Sequence, residues 1–191
     1  MLGIEIWVIL AILGAVFWPF FLIGPIFRDD MTTYRGFYGK YRVFFHPVVI
    51  NICNLITLII IAYAWCAQTL VYATIALPEM HVGVDIVSPT YAALAVLFFS
   101  LVTCTHMWAH MIFVGRWVRL AIIFALLAFA INVTCVVLLA IESLWIPFAF
   151  MFVPLIWYMY TIVFNISWWY NRGDIVATIR KQLPSFPDMT K

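Results

Sequence analysis

Long apolar runs dominate this chain, and only short polar segments interrupt them. Five runs are long enough for a helix to cross a membrane, which takes about 20 residues, and a helix satisfies its own backbone groups in hydrocarbon. The pattern predicts an all-α integral membrane five-helix bundle over residues 1–171 and a short soluble C-terminal tail over 172–191. The predicted helices cover 4–27, 45–71, 90–114, 120–141 and 145–170.

Two prolines refine these predictions. Pro19 lies inside the first run, where a proline removes a backbone donor and therefore predicts a kink. Pro147 lies near the start of the fifth run. A proline is tolerated in the first turn of a helix, because an N–H at that position has no partner within the helix.

The basic residues determine the predicted orientation of the bundle. All ten Lys and Arg residues lie between the first and second predicted helices, between the third and fourth, or in the tail. A five-helix count places them all on one side, whereas four or six helices would divide them between both sides. Because basic residues stay on the cytosolic side, we expect the N-terminus outside and the C-terminus inside. The opposite side contains Glu5, Glu79, Asp85 and Glu142.

Composition excludes most other classes of protein. Apolar residues make up 67% of the 191 positions and charged residues 9%, against about 45–50% and about 25% in soluble domains. A soluble core of this length cannot bury so much apolar surface, so we expect a multi-pass membrane protein in contact with the lipid bilayer. The net charge of only +2 gives no electrostatic support for a nucleic-acid partner.

Motifs for catalysis or ion transport are missing from the sequence. It contains no nucleophile elbow, phosphate-binding loop or zinc-protease motif and no pair of carboxylates within the predicted helices, so we expect no enzymatic activity. The predicted helices contain one carboxylate, Glu5, near an end, which argues against a proton or ion pump. The four cysteines form no CxxC pair and are expected to pack as small buried residues.

Uncharged polar residues remain inside the predicted helices. Such residues most often tie helices together by hydrogen bonds, and some can line a pocket. They are Asn51, Asn54, Thr57, Ser100, Thr103, Asn132, Thr134, Asn165 and Ser167.

Three histidines lie near the basic side of the predicted bundle. His46 begins the second helix, and His106 and His110 end the third at a spacing that places both imidazoles on one helical stripe. Two interpretations remain open. The three could hold a metal ion or face a haem or other porphyrin, or they lie at the headgroup level as polar tips of an amphipathic boundary. Neither helix contains a carboxylate that would orient a metal ligand.

Sequence motifs in the second half of the chain resemble those of a known membrane family. The third helix ends with Trp108, an apolar stretch and a Gly/Arg turn at Arg116. The fifth opens with a proline and Trp157, places Asn165 eight residues after that Trp, and adds Trp169 four residues later. From the third helix to the tail, the chain is similar to the tryptophan-rich sensory protein family, also called the translocator protein or peripheral benzodiazepine receptor family.

The first half of the chain departs from the pattern of that family. The family has a Trp-Tyr and a Lys-Pro run before its second helix and paired tryptophans within that helix. This chain has a lone His46–Pro47 step and only Trp65. The missing elements form much of the family's ligand pocket. The chemistry of the pocket is therefore the part of the resemblance that this departure puts in question.

The resemblance implies five helices with the predicted orientation and a site between them for a porphyrin, cholesterol or a similar flat apolar molecule. It implies aromatic walls at Trp108 and Trp157, a polar anchor at Asn165, and a partner for an acidic group at Arg116. We add His106 and His110 as candidate ligand-binding residues at the same end of the bundle. The resemblance also implies a mitochondrial or bacterial membrane.

Three functions remain open from the sequence. The first is binding or transport of a hydrophobic ligand such as a porphyrin or sterol, by a monomer or homodimer. The second is a structural accessory subunit of a larger membrane complex, such as a respiratory or photosynthetic assembly, favoured by the lack of intramembrane charge and by an aromatic content of 18%. The third is a haem or copper site at His46, His106 and His110.

Overall fold

The computed structural model describes residues 47–79, 89–113 and 117–182. Within these ranges the chain is helical and contains no strand, which confirms the all-α prediction for this part of the protein. The elements are α1 Pro47–Glu79, α2 Pro89–Phe113, α3 Val118–Ile141, α4 Trp145–Phe150 and α5 Phe152–Gln182. The predicted first helix, with its kink at Pro19, lies outside the described residues.

Four segments are long and apolar enough to cross a membrane. They are Ile52–Val71 in α1, Pro89–Ile112 in α2, Val118–Ile141, which is α3, and Trp145–Asn171, which combines α4 with much of α5. These segments correspond to the second to fifth predicted helices and indicate a multi-pass membrane protein.

Two helices are longer than their apolar segments. α1 continues to Glu79 and α5 to Gln182, the latter into the segment predicted as a soluble tail. Polar residues end the stretch that suits hydrocarbon, but they do not end a helix, because their helix propensities differ only slightly from those of apolar residues. Hydropathy therefore marks the membrane-compatible part of each helix rather than its end.

Side-chain contacts establish that α1 and α2 are antiparallel. The ring of Trp65 in α1 stacks on Phe98 of α2, with ring centroids 6.4 Å apart. Three residues further along α1, the amide nitrogen of Gln68 donates to the carbonyl of Tyr91, which precedes Phe98 in α2. Contacts therefore move backwards along α2 as they move forwards along α1.

α3 and α5 are also antiparallel. Arg119, at the start of α3, lies over the ring of Trp169 far along α5, with the guanidinium carbon 4.3 Å from the ring centroid. Asn132, in the middle of α3, instead contacts the region of Met151, where α5 begins. We call the end of the bundle that contains Arg119 the basic end, and the end that contains Glu142 the acidic end.

One face of α3 is rich in small residues and packs inside the bundle. The buried positions recur every three or four residues, which places them on one stripe of the helix. Small side chains on that stripe let α3 approach α2 and α5 closely, and α3 packs along much of both. The buried residues are Val118, Ala121, Ala125, Ala128, Asn132, Cys135 and Leu139. The outer face exposes large apolar residues suited to lipid: Leu120, Ile123, Leu126, Leu127, Val133, Val137 and Ile141.

A tight turn joins α3 to α4. The N–H of Leu144 donates to the carbonyl of Leu139, with an N···O distance of 2.9 Å, and the N–H of Ser143 donates to that of Ala140 at 3.0 Å. This pair of bonds satisfies the last carbonyls of α3 and requires a left-handed residue, here Ser143 with a φ of 59°. Pro147 follows in the first turn of α4, as the sequence predicted.

A break at Met151 divides the fifth predicted helix into α4 and α5. Pro154 has no N–H for the carbonyl of Phe150, four residues earlier, so one bond of the helical ladder is lost. The next N–H, of Leu155, is 3.4 Å from the Met151 carbonyl. With its amide oriented to match these groups, Asn132 donates to the Met151 carbonyl and accepts from the Leu155 N–H, both at 3.3 Å. A side chain of α3 therefore supports α5 where its backbone bonding is weakest.

Candidate functional site

Three buried side chains from three helices meet in the core of the bundle. The indole nitrogen of Trp157, in α5, donates to Oδ1 of Asn54 in α1, with an N···O distance of 2.8 Å. Trp108, in α2, packs edge to face against Trp157, with ring centroids 6.4 Å apart and an interplanar angle of 90°. An aromatic pair favours this geometry, and a buried indole N–H usually has a partner. We call Asn54, Trp108 and Trp157 the tryptophan cluster.

A row of aromatic rings continues from the tryptophan cluster along α5 towards the basic end. Tyr160 stacks on Trp157 at a centroid distance of 5.1 Å, and Phe164 stacks on Tyr160 at 6.2 Å. Trp168 then meets Phe164 edge to face at 5.4 Å. The spacing of three or four residues puts all four rings on one face of the helix. Trp157, Phe164 and Trp168 are buried, so the row is part of the core of the bundle.

A second polar contact joins α2 to α5 beside the tryptophan cluster. The hydroxyl of Thr105 donates to the carbonyl of Leu101, one turn earlier in α2, at 2.8 Å. The hydroxyl of Tyr158 is 2.6 Å from the same Thr105 oxygen. Since the proton of Thr105 is already used, Tyr158 is the donor in this pair. The bond holds Trp157, the preceding residue, in register with α2.

Asn165 is fully buried in α5, and neither atom of its amide makes a hydrogen bond to any residue of 47–79, 89–113 or 117–182. It lies on the same helical stripe as Tyr158 and Thr161. The Thr161 hydroxyl is satisfied by the carbonyl of Tyr158 at 2.9 Å. A buried amide without a partner costs about 1–3 kcal/mol of stability. Asn165 therefore offers both a donor and an acceptor to a group from outside the described core.

Asn54 has one satisfied and one unsatisfied atom. Its Oδ1 accepts from Trp157, whereas its Nδ2 has no hydrogen-bond partner within the part of the chain that the structure describes. The buried polar side chains of that part are all uncharged amides, hydroxyls or an imidazole. The site is therefore suited to a neutral group, because a buried charge would need an opposite charge nearby.

The two histidines of α2 lie in different environments. His106 is buried, and its Nδ1 donates to the carbonyl of Val102 at 2.9 Å. His110 is exposed. The described residues contain no group of three or more His, Cys, Asp or Glu side chains that could hold a metal ion. His46, the third histidine of the predicted haem or copper site, lies outside the described residues.

The predicted arginine of the site, Arg116, also lies outside the described residues. The described basic contact at that end of the bundle is the one between Arg119 and Trp169. A guanidinium over an aromatic ring is attracted to the negative face of the ring. This contact pins the start of α3 to α5 near the basic end.

Three buried residues of α1 were not predicted as site residues: Asn54, Trp65 and Gln68. With Thr57 they recur at spacings that fall on one helical stripe, which faces the other helices. This periodicity of polar and aromatic residues is the sequence feature from which they could have been predicted. It is weak, because apolar residues surround the stripe on every side.

Three hydroxyl residues that were expected to tie helices together bond within their own helix. Each donates to a carbonyl four residues earlier, so its polar atoms need no second helix. The pairs are Ser100 with Val96 at 2.8 Å, Thr103 with Phe99 at 2.9 Å, and Thr134 with Ala130 at 3.0 Å. Interhelical bonds instead come from Asn54, Gln68, Asn132 and Tyr158.

No family model matches the chain, and no curated protein or solved structure matches it either. The resemblance carried by Trp108, Trp157 and Asn165 therefore stays a prediction from the sequence.

Proposed function

We propose that this chain binds a flat hydrophobic molecule between its membrane-spanning helices, with porphyrins and sterols as the first classes to test. The observation that carries the proposal is the tryptophan cluster and its aromatic row, together with the unpaired amide groups of Asn54 and Asn165. Binding sites for small molecules are mostly apolar and aromatic, with a few polar groups that orient the ligand. The described core has this composition.

The chemistry of these groups specifies what the ligand must offer. Aromatic faces along α5 favour a flat ring system, because stacked rings gain free energy beyond the burial of their area. Asn165 can bond a hydroxyl, a carbonyl or a ring N–H, and Asn54 can donate to an acceptor. An acidic group of a porphyrin would pair with Arg116 at the basic end, as the family resemblance implies.

The proposal includes the predicted first helix over 4–27, which brings the number of helices to five, an outside N-terminus and a cytosolic C-terminus. The one-sided placement of the ten Lys and Arg residues supports this orientation. Labelling with a membrane-impermeant thiol reagent, on a variant with a cysteine introduced after Gln182, tests it. In intact cells that cysteine should stay unlabelled. Labelling of it would show that the C-terminus lies outside, the opposite of the proposed orientation.

Ligand titration tests the proposal directly. Purified protein in lipid nanodiscs is titrated with protoporphyrin and with cholesterol, and binding is followed by tryptophan fluorescence. We expect saturable binding of at least one of them. Trp157→Ala and Asn165→Leu should each weaken it by about tenfold or more, the equivalent of about 1.4 kcal/mol. Trp145→Phe, at an exposed position near the acidic end, is the matched control and should bind like the wild type.

A structural accessory subunit is the competing function, and the resident haem or copper site is the third. A stable assembly with fixed partner proteins after extraction in mild detergent, with no saturable binding of either probe, would favour the subunit. A monomer or homodimer that binds one probe supports the proposal. An absorption spectrum of the purified protein with a haem band, or stoichiometric copper, would favour the third function.

A further inference from the structure

A second group of unpaired polar atoms lies between α1 and α2. Trp65 and Gln68 are 8% and 3% exposed. The indole nitrogen of Trp65 and the amide oxygen of Gln68 make no hydrogen bond to any residue that the structure describes. At a rise of 1.5 Å per residue, they lie about 16 and about 21 Å beyond Asn54 along α1, towards the acidic end. The pair is therefore separate from the tryptophan cluster.

Both side chains face α2 from one stripe of α1. The Trp65 ring stacks on Phe98 with an interplanar angle of 19°. The Gln68 amide nitrogen donates to the Tyr91 carbonyl at 3.3 Å, which determines the orientation of the amide and leaves its oxygen as the open acceptor. Residues three apart on a helix are neighbours. One open donor and one open acceptor therefore lie within one helical turn of each other in this interface.

We infer that the interface between α1 and α2 binds the hydroxyl group of an apolar alcohol, which accepts from the Trp65 indole N–H and donates to Oε1 of Gln68. A hydroxyl supplies one donor and two acceptor positions, so it satisfies both protein atoms at once. An ether or a ketone satisfies Trp65 alone, because neither has a proton to donate. A charged group is disfavoured, since the side chains that the structure describes as buried include no Lys, Arg, Asp or Glu.

The surroundings of the pair fit an alcohol with a long apolar chain. Thr69, the neighbouring buried hydroxyl, donates to the carbonyl of Trp65 at 2.8 Å and does not compete for the open atoms. Leu70 and Val96, on the outer sides of α1 and α2, are exposed apolar residues. The alkyl chain would stay in the lipid beside them while the hydroxyl enters the interface. Each polar atom left unpaired in an apolar interior costs free energy that the hydroxyl recovers.

Three probes of equal chain length test the inference on the full-length protein in nanodiscs: dodecanol, dodecyl methyl ether and dodecane. Binding is followed by NMR of isotope-labelled tryptophan, with the Trp65 indole signal assigned as the one missing in Trp65→Phe. Dodecanol should move that signal downfield in a saturable way and bind about five- to tenfold more tightly than the ether. Dodecane should leave it in place.

Gln68→Leu removes the hydrogen bond to Oε1 of Gln68 and keeps the one from Trp65, so it measures the two contributions separately. It should lower the affinity for dodecanol to that for the ether and leave the ether unchanged, while Trp145→Phe, the exposed control, should change neither. Equal binding of all three probes to the wild type would overturn the inference, and this comparison needs no variant. An unchanged dodecanol affinity in a folded Gln68→Leu would also overturn it. The test does not involve Trp157 or Asn165, so its failure and that of the proposed function are distinguishable.

Discussion

Two interfaces of this bundle treat buried polar groups in opposite ways. Between α3 and α5, the amide of Asn132 is matched on both atoms by backbone groups at the break after α4. Along α1, each of Asn54, Trp65 and Gln68 keeps one polar atom without a partner in the described part of the chain. Both interfaces are buried in the same apolar bundle, so the difference is one of hydrogen bonding.

The comparison assigns different roles to the two interfaces. The α3–α5 interface combines small residues with a fully satisfied amide, which is how membrane helices pack for stability. The α1 interface instead contains donors and acceptors without partners. They lower the stability of the fold, because hydrocarbon offers no water to satisfy them. We therefore regard the α3–α5 interface around Asn132 as the scaffold. The open polar groups of α1, and that of Asn165 in α5, lie on the sides that receive ligands.

The largest expected effect is on the scaffold side. Asn132→Leu removes the side chain that supports the Met151 carbonyl and the Leu155 N–H, and it leaves these buried groups poorly bonded. We expect a loss of about 2–3 kcal/mol in the free energy of unfolding, measured by reversible unfolding in mixed detergent micelles. Thr134→Val, two residues away on the exposed face, is the control and should change stability by less than about 0.5 kcal/mol. Equal effects of the two variants would remove the distinction between the interfaces.

The hydrogen bond between Trp157 and Asn54 should show coupling between its two residues: removing the second partner should recover part of the stability lost with the first. Trp157→Phe deprives Asn54 of its one partner, so a whole amide is left unpaired, at a cost of about 1–2 kcal/mol. Adding Asn54→Leu removes that amide, and the double variant should be more stable than Trp157→Phe alone. Thermal unfolding of the wild type, both single variants and the double variant measures the coupling. Strictly additive effects would contradict the hydrogen bond.

The amide of Asn165 should lower the stability of the unliganded protein and strengthen ligand binding. Asn165→Leu replaces an unpaired amide by an apolar side chain of similar volume, so it should stabilise the unliganded protein by about 1 kcal/mol. The same change should weaken binding of protoporphyrin or cholesterol. Unfolding and titration on one preparation measure both. Destabilisation together with unchanged binding would show that the amide has a structural partner instead.

The smallest expected effect concerns the strained turn beside the scaffold. Ser143 holds a φ of 59°, which glycine adopts without the steric cost that a Cβ brings. Ser143→Gly should raise the free energy of unfolding by about 0.5–1 kcal/mol. Ser143→Ala keeps the Cβ and should not stabilise. A gain in both variants would show that the hydroxyl, rather than the backbone strain, was unfavourable.

The helices could largely be predicted, because the apolar runs are long and the segments between them are polar. α2 and α3 begin and end close to the predicted bounds. The break at Met151 was not predicted, since the chain is equally apolar on both sides of it. Its signal was Pro154, which removes a backbone donor inside the run. Hydropathy is insensitive to such a change, because it measures the cost of transfer to lipid and not the bonding of the backbone.

The site was harder to predict from the sequence. Asn132 and Asn165 belong to one class by residue type and position, yet the first amide is satisfied and the second is open. Which outcome occurs depends on the backbone groups across the interface, and no one-dimensional pattern contains these. His106 and His110 differ for a related reason. Residues four apart differ by about 40° around the helix axis. One histidine can therefore lie within the buried stripe of α2 and the other just beyond its edge.

The outer face of α3 also has a consequence for how the protein is made. Of the four spanning segments in the described ranges, α3 is the most apolar and the least covered by other helices. Insertion by the translocation machinery follows the apparent free energy of each segment, so α3 should enter the bilayer without help. The other three segments are less apolar and contain Gln68, His106 or Asn165, so they gain more from a neighbour that covers these groups. α3 would then act as the template for biogenesis, and damage to its outer face would stop assembly before any ligand site could form.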